Sequence, residues 1–444
     1  MIINKESSAC DLLSELPDSL IFEIFRFLPM TDVVRTTILS KRWNNLWTTF
    51  PWLDFNDRRL KIDTDKFRDF VNGIVNSWRG MKIVRFNVEF RESDPNLNKS
   101  LPSDSDIDSW IQFATEKKVE QLQIFLAYKF SVPQCLYSCS SLKVLQIMIS
   151  DPQVHGNVQW DQLRRLTLFA EGFTKNAIDR ILRGSPRLRK FNLILRSSKG
   201  DLRIKSSSLR QLSIIMFYKK DARVVEDPEL RIWAPNLEKL EIGGVPYSKC
   251  FLMNVSSLTR VALNIDGPKK LFPGIDFVGE TLRRIFPAIK HVQKLTLSNW
   301  CIKQALGAMK GKHILKPFPT PKILILNVCC EEHPEEYPQD YPEEYQQQIL
   351  GVVEMFSTLR NLVLVTNYNG LPEHFKGCLV FDKNLSILFL LHLRTVHITW
   401  TIGDDNSISF YREIKVRSRI HCPSICSWHH RSCWKWKYPP QLRS

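Results

Sequence analysis

The sequence predicts a mixed α/β protein in which a small all-helical unit precedes a long repeated region with a parallel sheet. Three observations predict this fold class. Short helix-like segments lie close together between Leu13 and Trp47, and an apolar six-residue pattern then recurs eleven times. Each copy also ends in the two-residue alternation that is typical of a β-strand. At 444 residues, 43% of them hydrophobic, the chain has enough material for a sizeable core.

The N-terminal unit is expected to contain three helices. Pro17 suits the first turn of the first helix, and Pro29 ends that helix because it lacks an amide hydrogen and disfavours helical geometry at the preceding residue. Thr31 is expected to cap the second helix, and Ser40 the third. The first helix is apolar on nearly every side, and a unit of about 45 residues rarely has a sufficient core of its own. Either the rest of the chain or a second protein must therefore cover it.

This stretch, residues 12–58, resembles an F-box domain. The resemblance rests on the leucine–proline pair at the start, the apolar spacing along the first helix and the run LSKRWNNLW from Leu39. In that family the segment binds a Skp-type adaptor of a cullin-based SCF ubiquitin ligase, so the resemblance implies that a second protein covers the helices. Carried over residue by residue, the implied adaptor contacts are Leu16, Pro17, Ile21, Ile24, Leu28, Val33, Val34, Leu39 and Trp43.

The repeated region extends over residues 80–410. Its template is an apolar residue, two variable residues, an apolar residue, one variable residue and a last apolar residue. Stretches between copies, such as NAIDRILRGSP, favour helix. A strand followed by a helix or turn, repeated in this way, is typical of a solenoid whose units bury their faces by stacking. The copies begin at Ile83, Val119, Leu142, Leu163, Leu188, Leu209, Leu237, Leu258, Val292, Pro321 and Leu359.

The copies resemble leucine-rich repeats in their rhythm. The consensus Asn or Cys eight positions after the first apolar residue occurs only as Cys329 and Asn367, so the predicted solenoid is irregular, with parallel strands on a concave face. An irregular α/β domain with an ordinary parallel sheet is the alternative. An F-box followed by such repeats resembles the large plant F-box/LRR family, and the chain from about residue 370 resembles the terminal segment of that family.

Residues 411–444 differ from the rest of the chain in composition. They contain eight Lys or Arg and one acidic residue, and 8 minus 1 gives +7 of the net charge of +16. Interleaved tryptophans and cations would suit non-specific nucleic-acid binding, but the segment lacks any recognised docking fold. The sequence favours a poorly ordered tail. Its spacing is also too cramped for a common zinc fold, although it contains Cys422, Cys426, His429, His430 and Cys433.

The N-terminal residues, the apolar stretches and the cysteines of the sequence indicate an intracellular protein. The first residues offer no continuous apolar core for a secretory signal, and the longest uncharged apolar stretch, Leu385 to Leu393, is about half of what a membrane span needs. The eleven cysteines are then expected to be reduced. The sequence therefore predicts a protein of the cytoplasm and/or nucleus that does not enter a membrane.

Catalytic motifs contribute little to the interpretation. The run GAMKGKH from Gly307 is too short between its glycines for a phosphate-binding loop, and it ends in His313 where Ser or Thr is required. We find no metalloprotease, nucleophile-elbow or dinucleotide-binding pattern. The prediction is a non-catalytic subunit, without cofactor or metal, that recruits a target protein for ubiquitination and degradation. The alternative is a basic nucleic-acid-binding scaffold without a ligase role.

One column of side chains is the candidate target-binding site. Because side chains alternate across a strand, the second residue after the start of each copy should project away from the core. Five of six such residues in the central copies are cations, which favours a target rich in Asp, Glu or phosphate. A merely solvated surface is the alternative. The column comprises Arg165, Lys190, Gln211, Lys239, Arg260 and Lys294.

Overall fold

The computed structural model of the chain divides into two compact units, Met1–Asn192 and Leu193–Ser444. The residues that the structure describes are 13–56, 60, 64–90, 102–126, 130–149, 157–170, 176–196, 201–217, 229–244, 247, 249–265, 277–298, 300–302, 320–329, 351–352, 356, 358–368, 395–402 and 408–415.

The first unit begins with the three predicted helical segments. They are α1 (Asp18–Phe25), α2 (Met30–Arg35) continued by a 3-10 turn (Thr36–Ile38), and a 3-10 helix (Trp43–Thr49). The two predicted side-chain caps are wrong. Pro29 occupies the N-cap of α2 with φ of −64°, so its ring already fixes the backbone conformation at the start of this helix. The N-cap of the 3-10 helix is Arg42. The Ser40 hydroxyl instead accepts a hydrogen bond from Ser14.

The rest of this unit consists of strands and the helices that follow most of them. The five strands β1 to β5 pair in chain order, and every pair is parallel. A sixth strand, β6 (Lys190–Leu195), begins at the end of the unit. The elements are β1 (Trp52–Asn56), α3 (Thr64–Ser77), β2 (Arg85–Phe90), α4 (Asp104–Glu116), β3 (Gln121–Leu126), α5 (Gln134–Tyr137), β4 (Val144–Ile149), β5 (Arg165–Ala170) and α6 (Ala177–Arg183).

The second unit contains two sheets. In the larger sheet the order is β8-β10-β12-β13-β14-β15-β16-β17, parallel except for the last pair, and the smaller sheet is β11-β9-β7, also parallel. From β7 to β12 the chain alternates between the two sheets. The strands are β7 (Leu202–Lys205), β8 (Gln211–Met216), β9 (Glu229–Trp233), β10 (Lys239–Gly244), β11 (Lys249–Met253), β12 (Arg260–Ile265), β13 (Lys294–Ser298), β14 (Ile323–Cys329), β15 (Asn361–Tyr368), β16 (Thr395–Ile402) and β17 (Ile408–Lys415), and α7 spans Phe277–Ala288.

The predicted fold class is confirmed, because helices lie at the N-terminus and a repeated parallel-strand region follows. Each of the eleven copies of the template forms a strand that begins two residues after its first apolar residue. In the fourth copy Leu163, Leu166 and Leu168 are each at most 1% exposed, as the template requires. Burying one such side chain stabilises the fold by roughly 1.5–3 kcal/mol, so the repeated leucines supply most of the driving force for stacking.

The tail boundary that the sequence suggested at residue 411 falls inside a strand. Residues 411 to 415 complete β17, which pairs antiparallel with β16 from Thr395↔Lys415 to Ile402↔Ile408. The period-two alternation in ISFYREIK fits a strand, and the change in charge at Tyr411 obscured it. The remaining part of the tail, with its Cys and His cluster, lies outside the described residues.

Candidate functional site

The N-terminal helices enclose a small aromatic core. Ile21 and Phe25 of α1 and Val33 of α2 have no exposed surface, and Trp43 is 3% exposed. The ring of Phe25 lies edge-on to those of Trp43 and Phe50, with centroids 5.7 and 5.3 Å apart. Edge-to-face pairs of this kind contribute about 0.5–1.5 kcal/mol beyond the area they bury. One side of α1 is therefore covered by the chain itself.

The same core attaches the helices to the start of the sheet. Phe50 is 2% exposed, and the indole N–H of Trp78, which follows α3, donates to the Phe50 carbonyl at 2.9 Å. The Arg79 amide donates to the Thr48 carbonyl at 2.7 Å, and the Arg26 guanidinium lies 5.1 Å from the centroid of Trp52 in β1. These contacts hold the helices in a fixed position against β1 and α3.

Beyond this core the N-terminal helices expose an unusual concentration of apolar side chains. Among the described residues nine large hydrophobic side chains are exposed, and six of them lie between residues 13 and 39. A concentration of exposed apolar side chains on a folded protein favours an interaction site. We call this set the N-terminal apolar surface, and its members are Leu13 (55% exposed), Leu20 (51%), Ile24 (36%), Phe27 (82%), Ile38 (85%) and Leu39 (58%).

Charged side chains lie beside the N-terminal apolar surface and hold its parts together. Arg42 donates to the Ser14 carbonyl and pairs with Asp18 at 2.8 Å, which joins the entry of α1 to the start of the 3-10 helix. Arg26 pairs with Glu23 at 2.9 Å on α1. Exposed pairs such as these contribute only about 0–1 kcal/mol each, so their main effect is on geometry.

The nine predicted adaptor contacts divide into two groups. Ile21, Val33 and Trp43 are buried in the aromatic core, and a side chain with almost no exposed area offers nothing to a partner. The structure therefore places these three beneath the surface, where they support it, and whether any of the nine residues contacts an adaptor stays a prediction. The other six have accessible area, Pro17, Ile24 and Leu39 being exposed and Leu16, Leu28 and Val34 half-buried.

Four residues of the N-terminal apolar surface were missed as candidate contacts. They are Leu13, Leu20, Phe27 and Ile38. Their apolar character was visible in the sequence, and three of them belong to the predicted helices. A helix that is apolar all round does not reveal which of its sides the rest of the chain will cover. The side that is covered depends on where Phe50 and Trp43 lie in space, and the sequence does not show this.

The column predicted to bind a target projects from the sheets as expected. Arg165 and Lys190 are exposed in the first unit. In the second unit the column runs across neighbouring strands in register, so that Lys239 of β10 lies beside Arg260 of β12, and Arg260 beside Lys294 of β13. Gln211 of β8 completes it on the other side of Lys239. Whether the column binds a target stays a prediction.

An acidic residue on the same face reduces the positive character of the column. Glu241 lies two residues after Lys239 in β10, and its carboxylate accepts hydrogen bonds from Ser213 at 2.9 Å and from Asn264 at 3.0 Å. Asn264 in turn accepts from Asn327 at 3.0 Å. This polar network crosses β8, β10, β12 and β14, so the face carries hydrogen-bonding groups of both kinds and one fixed negative charge.

The described residues offer little reactive chemistry. No group of three or more His, Cys, Asp or Glu within them could hold a metal ion. Burial raises the pKa of the Cys250 thiol to about 12 and also raises that of Cys139, so both stay protonated at neutral pH and are poor nucleophiles. Within the same ranges no helix is long and apolar enough to span a bilayer.

Comparison with protein families identifies both regions. The F-box domain model matches residues 13–54, and the model of the LRR repeats of FBD-associated F-box protein At5g56370 matches residues 107–250. The first match contains the N-terminal apolar surface, and the second contains the strands from β3 to β10. The chain therefore carries an F-box at its N-terminus and leucine-rich repeats after it, which confirms the resemblance seen in the sequence.

Several curated proteins of Arabidopsis thaliana are similar over most of the chain. Putative F-box/LRR-repeat protein At3g18150 is 29% identical over 342 residues, which cover 72% of this chain and 66% of the relative. Putative F-box protein At1g49610 is 29% identical over 72% of this chain and 77% of its own length. F-box/LRR-repeat protein At3g03360 is 28% identical over 68% and 62%, respectively. The matched region thus spans about two thirds of these relatives.

Proposed function

We propose that this chain, an F-box protein with leucine-rich repeats, is the target-recognition subunit of an SCF-type ubiquitin ligase. It binds a Skp-family adaptor and, through the adaptor, a cullin, and it works in the cytoplasm and/or nucleus. The observation that carries the proposal is the N-terminal apolar surface, which lies within the residues matched by the F-box model. The F-box and the names of the relatives support an adaptor-type role, and the ligase is the finer step that we infer.

The composition of the surface fits a stable protein interface. Phe27 and Ile38 are more than four-fifths exposed, and burying a side chain of this size is worth about 1.5–3 kcal/mol. Charged residues such as Glu23 and Arg35 lie on the same helices and remain exposed. An apolar centre with a polar rim is the usual anatomy of a specific interface. We therefore expect the adaptor to offer an apolar groove of comparable size.

Catalysis in such an assembly depends on holding the target close to the ubiquitin-charged enzyme. The chain supplies no nucleophile in this proposal, and a ubiquitin-charged enzyme held elsewhere on the cullin transfers ubiquitin to a target lysine. Holding the two reactants together converts an encounter in solution into an intramolecular step. The rigid attachment of the helices to β1 and α3, through Phe50 and Trp78, suits this role because a loose connection would lose that advantage.

The target is proposed to bind the column of cations that the repeated strands present. The column formed by Arg165, Lys190, Lys239, Arg260 and Lys294 favours a segment rich in Asp, Glu or phosphate. Such binding should weaken as salt rises, since exposed charges are screened over about 8 Å at physiological ionic strength. The hydrogen-bonding groups around Glu241 would add specificity to this attraction.

A basic scaffold that binds nucleic acid is the second candidate function. The net charge of +16 favours it, because Lys and Arg neutralise phosphates and release counterions. This candidate leaves the N-terminal apolar surface without a use. The two functions differ in salt dependence: an apolar interface with an adaptor survives high salt, whereas nucleic-acid binding is lost.

Replacing Leu16 and Pro17 with alanine is expected to weaken binding of a Skp-family adaptor by about tenfold or more, since central interface side chains typically contribute 1–4 kcal/mol. Both residues border the N-terminal apolar surface and retain accessible area. Binding is measured by isothermal titration calorimetry with purified adaptor. Met81→Ala is the matched control, because Met81 is 95% exposed and lies outside that surface. Unchanged affinity of the double variant would remove these two residues from the interface.

A further inference from the structure

The smaller sheet of the second unit presents a face that the proposed function does not use. Its inward rows are buried, with Leu202, Ile204, Leu230, Ile232 and Cys250 at 5% exposure or less. Its outward rows are polar or aromatic apart from Met253 of β11, which is 43% exposed. We call this outward face the basic–aromatic face, and it consists of Arg203 and Lys205 from β7, Arg231 and Trp233 from β9, Phe251 from β11, and Arg284 from the neighbouring α7.

Strand register brings these side chains together. Arg203 lies opposite Arg231, and Arg231 opposite Phe251, in one row across the three strands. In the next outward row Lys205 lies opposite Trp233. Neighbouring strands are about 4.8 Å apart, so two guanidinium groups start from adjacent positions. Like charges directly opposite on a sheet are destabilising, and an anion bound over them would relieve that cost.

The aromatic rings of this face are already in contact with cations of the chain. The Lys205 ammonium lies 5.6 Å from the centroid of Trp233. The guanidinium carbons of Arg231 and Arg284 lie 5.5 and 5.2 Å from the centroid of Phe251. Contacts of this kind hold cationic side chains in place over the rings. The rings therefore act as supports that fix the positive groups above the sheet.

Acidic neighbours offset only part of this charge. Glu229 pairs with Arg231, and their hydrogen bond raises the pKa of Arg231. Glu280 pairs with Arg284 at 2.9 Å and with Arg283 at 3.0 Å. Asp201 accepts a hydrogen bond from the Glu229 amide. Counting only the part of the chain that the structure describes, six cations (Arg203, Lys205, Arg231, Lys249, Arg283 and Arg284) stand against three acids, and 6 minus 3 leaves an excess of +3.

We propose that the basic–aromatic face binds a short acidic segment of a partner protein, in which clustered Asp and Glu side chains meet Arg203, Lys205 and Arg231. Charge complementarity selects the anion, and the guanidinium groups favour carboxylates because they can donate two parallel hydrogen bonds. The inference is independent of the adaptor role, because every residue it uses lies in the second unit.

Size and ring geometry favour a peptide over nucleic acid. Strands of four or five residues are about 15 Å long, and three neighbouring strands make a sheet about 10 Å wide. A face of this size matches a short extended peptide. Binding of single-stranded nucleic acid depends on bases stacking on open aromatic faces. Here Lys205 lies over Trp233, and two arginines lie over Phe251, so the rings are engaged by the chain itself.

The experiment measures binding of a fluorescein-labelled peptide, about twelve residues long and composed of Asp, Glu, Gly and Ser, to the full-length chain by fluorescence anisotropy. Arg203→Glu with Lys205→Glu is expected to weaken binding at least tenfold. Lys322→Glu with Arg360→Glu makes the same change of charge at two exposed residues of the second unit that lie outside both the basic–aromatic face and the column, and we expect less than a twofold effect. A third variant, Lys239→Glu with Arg260→Glu, tests the column itself. Arg203→Gln with Lys205→Gln should give an intermediate loss, and circular dichroism confirms that each variant is folded.

Three results would overturn the inference. Binding lost only in the Lys239→Glu and Arg260→Glu variant would place the acidic segment on the larger sheet, in agreement with the proposed target face. Equal losses in the Arg203→Glu with Lys205→Glu variant and the Lys322→Glu with Arg360→Glu variant, or a loss in neither, would show that the basic–aromatic face is not a specific site. Tighter binding of a single-stranded dT12 oligonucleotide than of the peptide, lost on Trp233→Ala, would replace the peptide with nucleic acid.

Discussion

Glutamate at positions 27 and 39 is expected to abolish adaptor capture while the chain stays folded. Phe27 and Leu39 are 82% and 58% exposed, so neither contributes much to the core. In a complex both would be buried, and burial of an unpaired carboxylate costs several kcal/mol. The apolar contacts would be lost as well. We therefore expect Phe27→Glu with Leu39→Glu to reduce adaptor affinity by about a hundredfold or more, since every 1.4 kcal/mol is a factor of ten.

The control for this variant separates a local effect from a general effect of charge. Met81→Glu with Phe217→Glu adds the same charge at two apolar residues that are 95% and 50% exposed and lie outside the N-terminal apolar surface. Affinity for the purified adaptor should then stay within twofold of the parent chain. If the Phe27 and Leu39 variant retained parental affinity, the N-terminal apolar surface would not be the adaptor site.

Alanine at Gly244 is expected to destabilise the second unit by at least about 2 kcal/mol. Gly244 ends β10 with φ of +72°, a conformation that costs other residues about 1–2 kcal/mol. A Cβ atom built there would also lie 1.9 Å from the carbonyl oxygen of Met216 in β8. Because this oxygen belongs to the backbone of a neighbouring strand, the pairing of β8 with β10 must shift to make room.

The adjacent glycine provides the matched control. A Cβ atom at Gly243 would lie no closer than 3.4 Å to any neighbouring atom, an ordinary contact distance, and its backbone needs no positive φ. Gly243→Ala should therefore change the free energy of unfolding by less than about 1 kcal/mol. Urea denaturation followed by circular dichroism measures both variants. Equal stability of the two would show that the close approach of β8 and β10 is absent in solution.

The repeated strands could be predicted from sequence because their signal is local. An apolar residue at fixed offsets both specifies a strand and places its side chains inside, so the copy beginning at Leu163 predicted the strand that the structure has as β5. The smaller sheet was missed because β7, β9 and β11 are four or five residues long and fall outside the template. Short strands of that length give too few alternations to be recognised.

The candidate site could be predicted only in part. The F-box resemblance located the helices and their apolar residues, but burial depends on residues far along the chain. Phe50 and Trp78 decide that Phe25 is covered and leave Phe27 exposed, although both phenylalanines look alike in sequence. Likewise the basic–aromatic face arises from strand register, which brings Arg203 beside Arg231 across 28 residues of chain. No local pattern contains that information.

Copurification of the tagged full-length chain from plant cells tests the central claim most directly. Cells are lysed and washed at 0.5 M NaCl with nuclease, and bound proteins are identified by mass spectrometry, with the Phe27→Glu and Leu39→Glu variant in parallel. The account predicts that a Skp-family adaptor and a cullin remain with the parent chain and are absent from the variant, because the interface is apolar and resists salt. Recovery of nucleic acid at low salt, with neither adaptor nor cullin at any salt concentration, would contradict it.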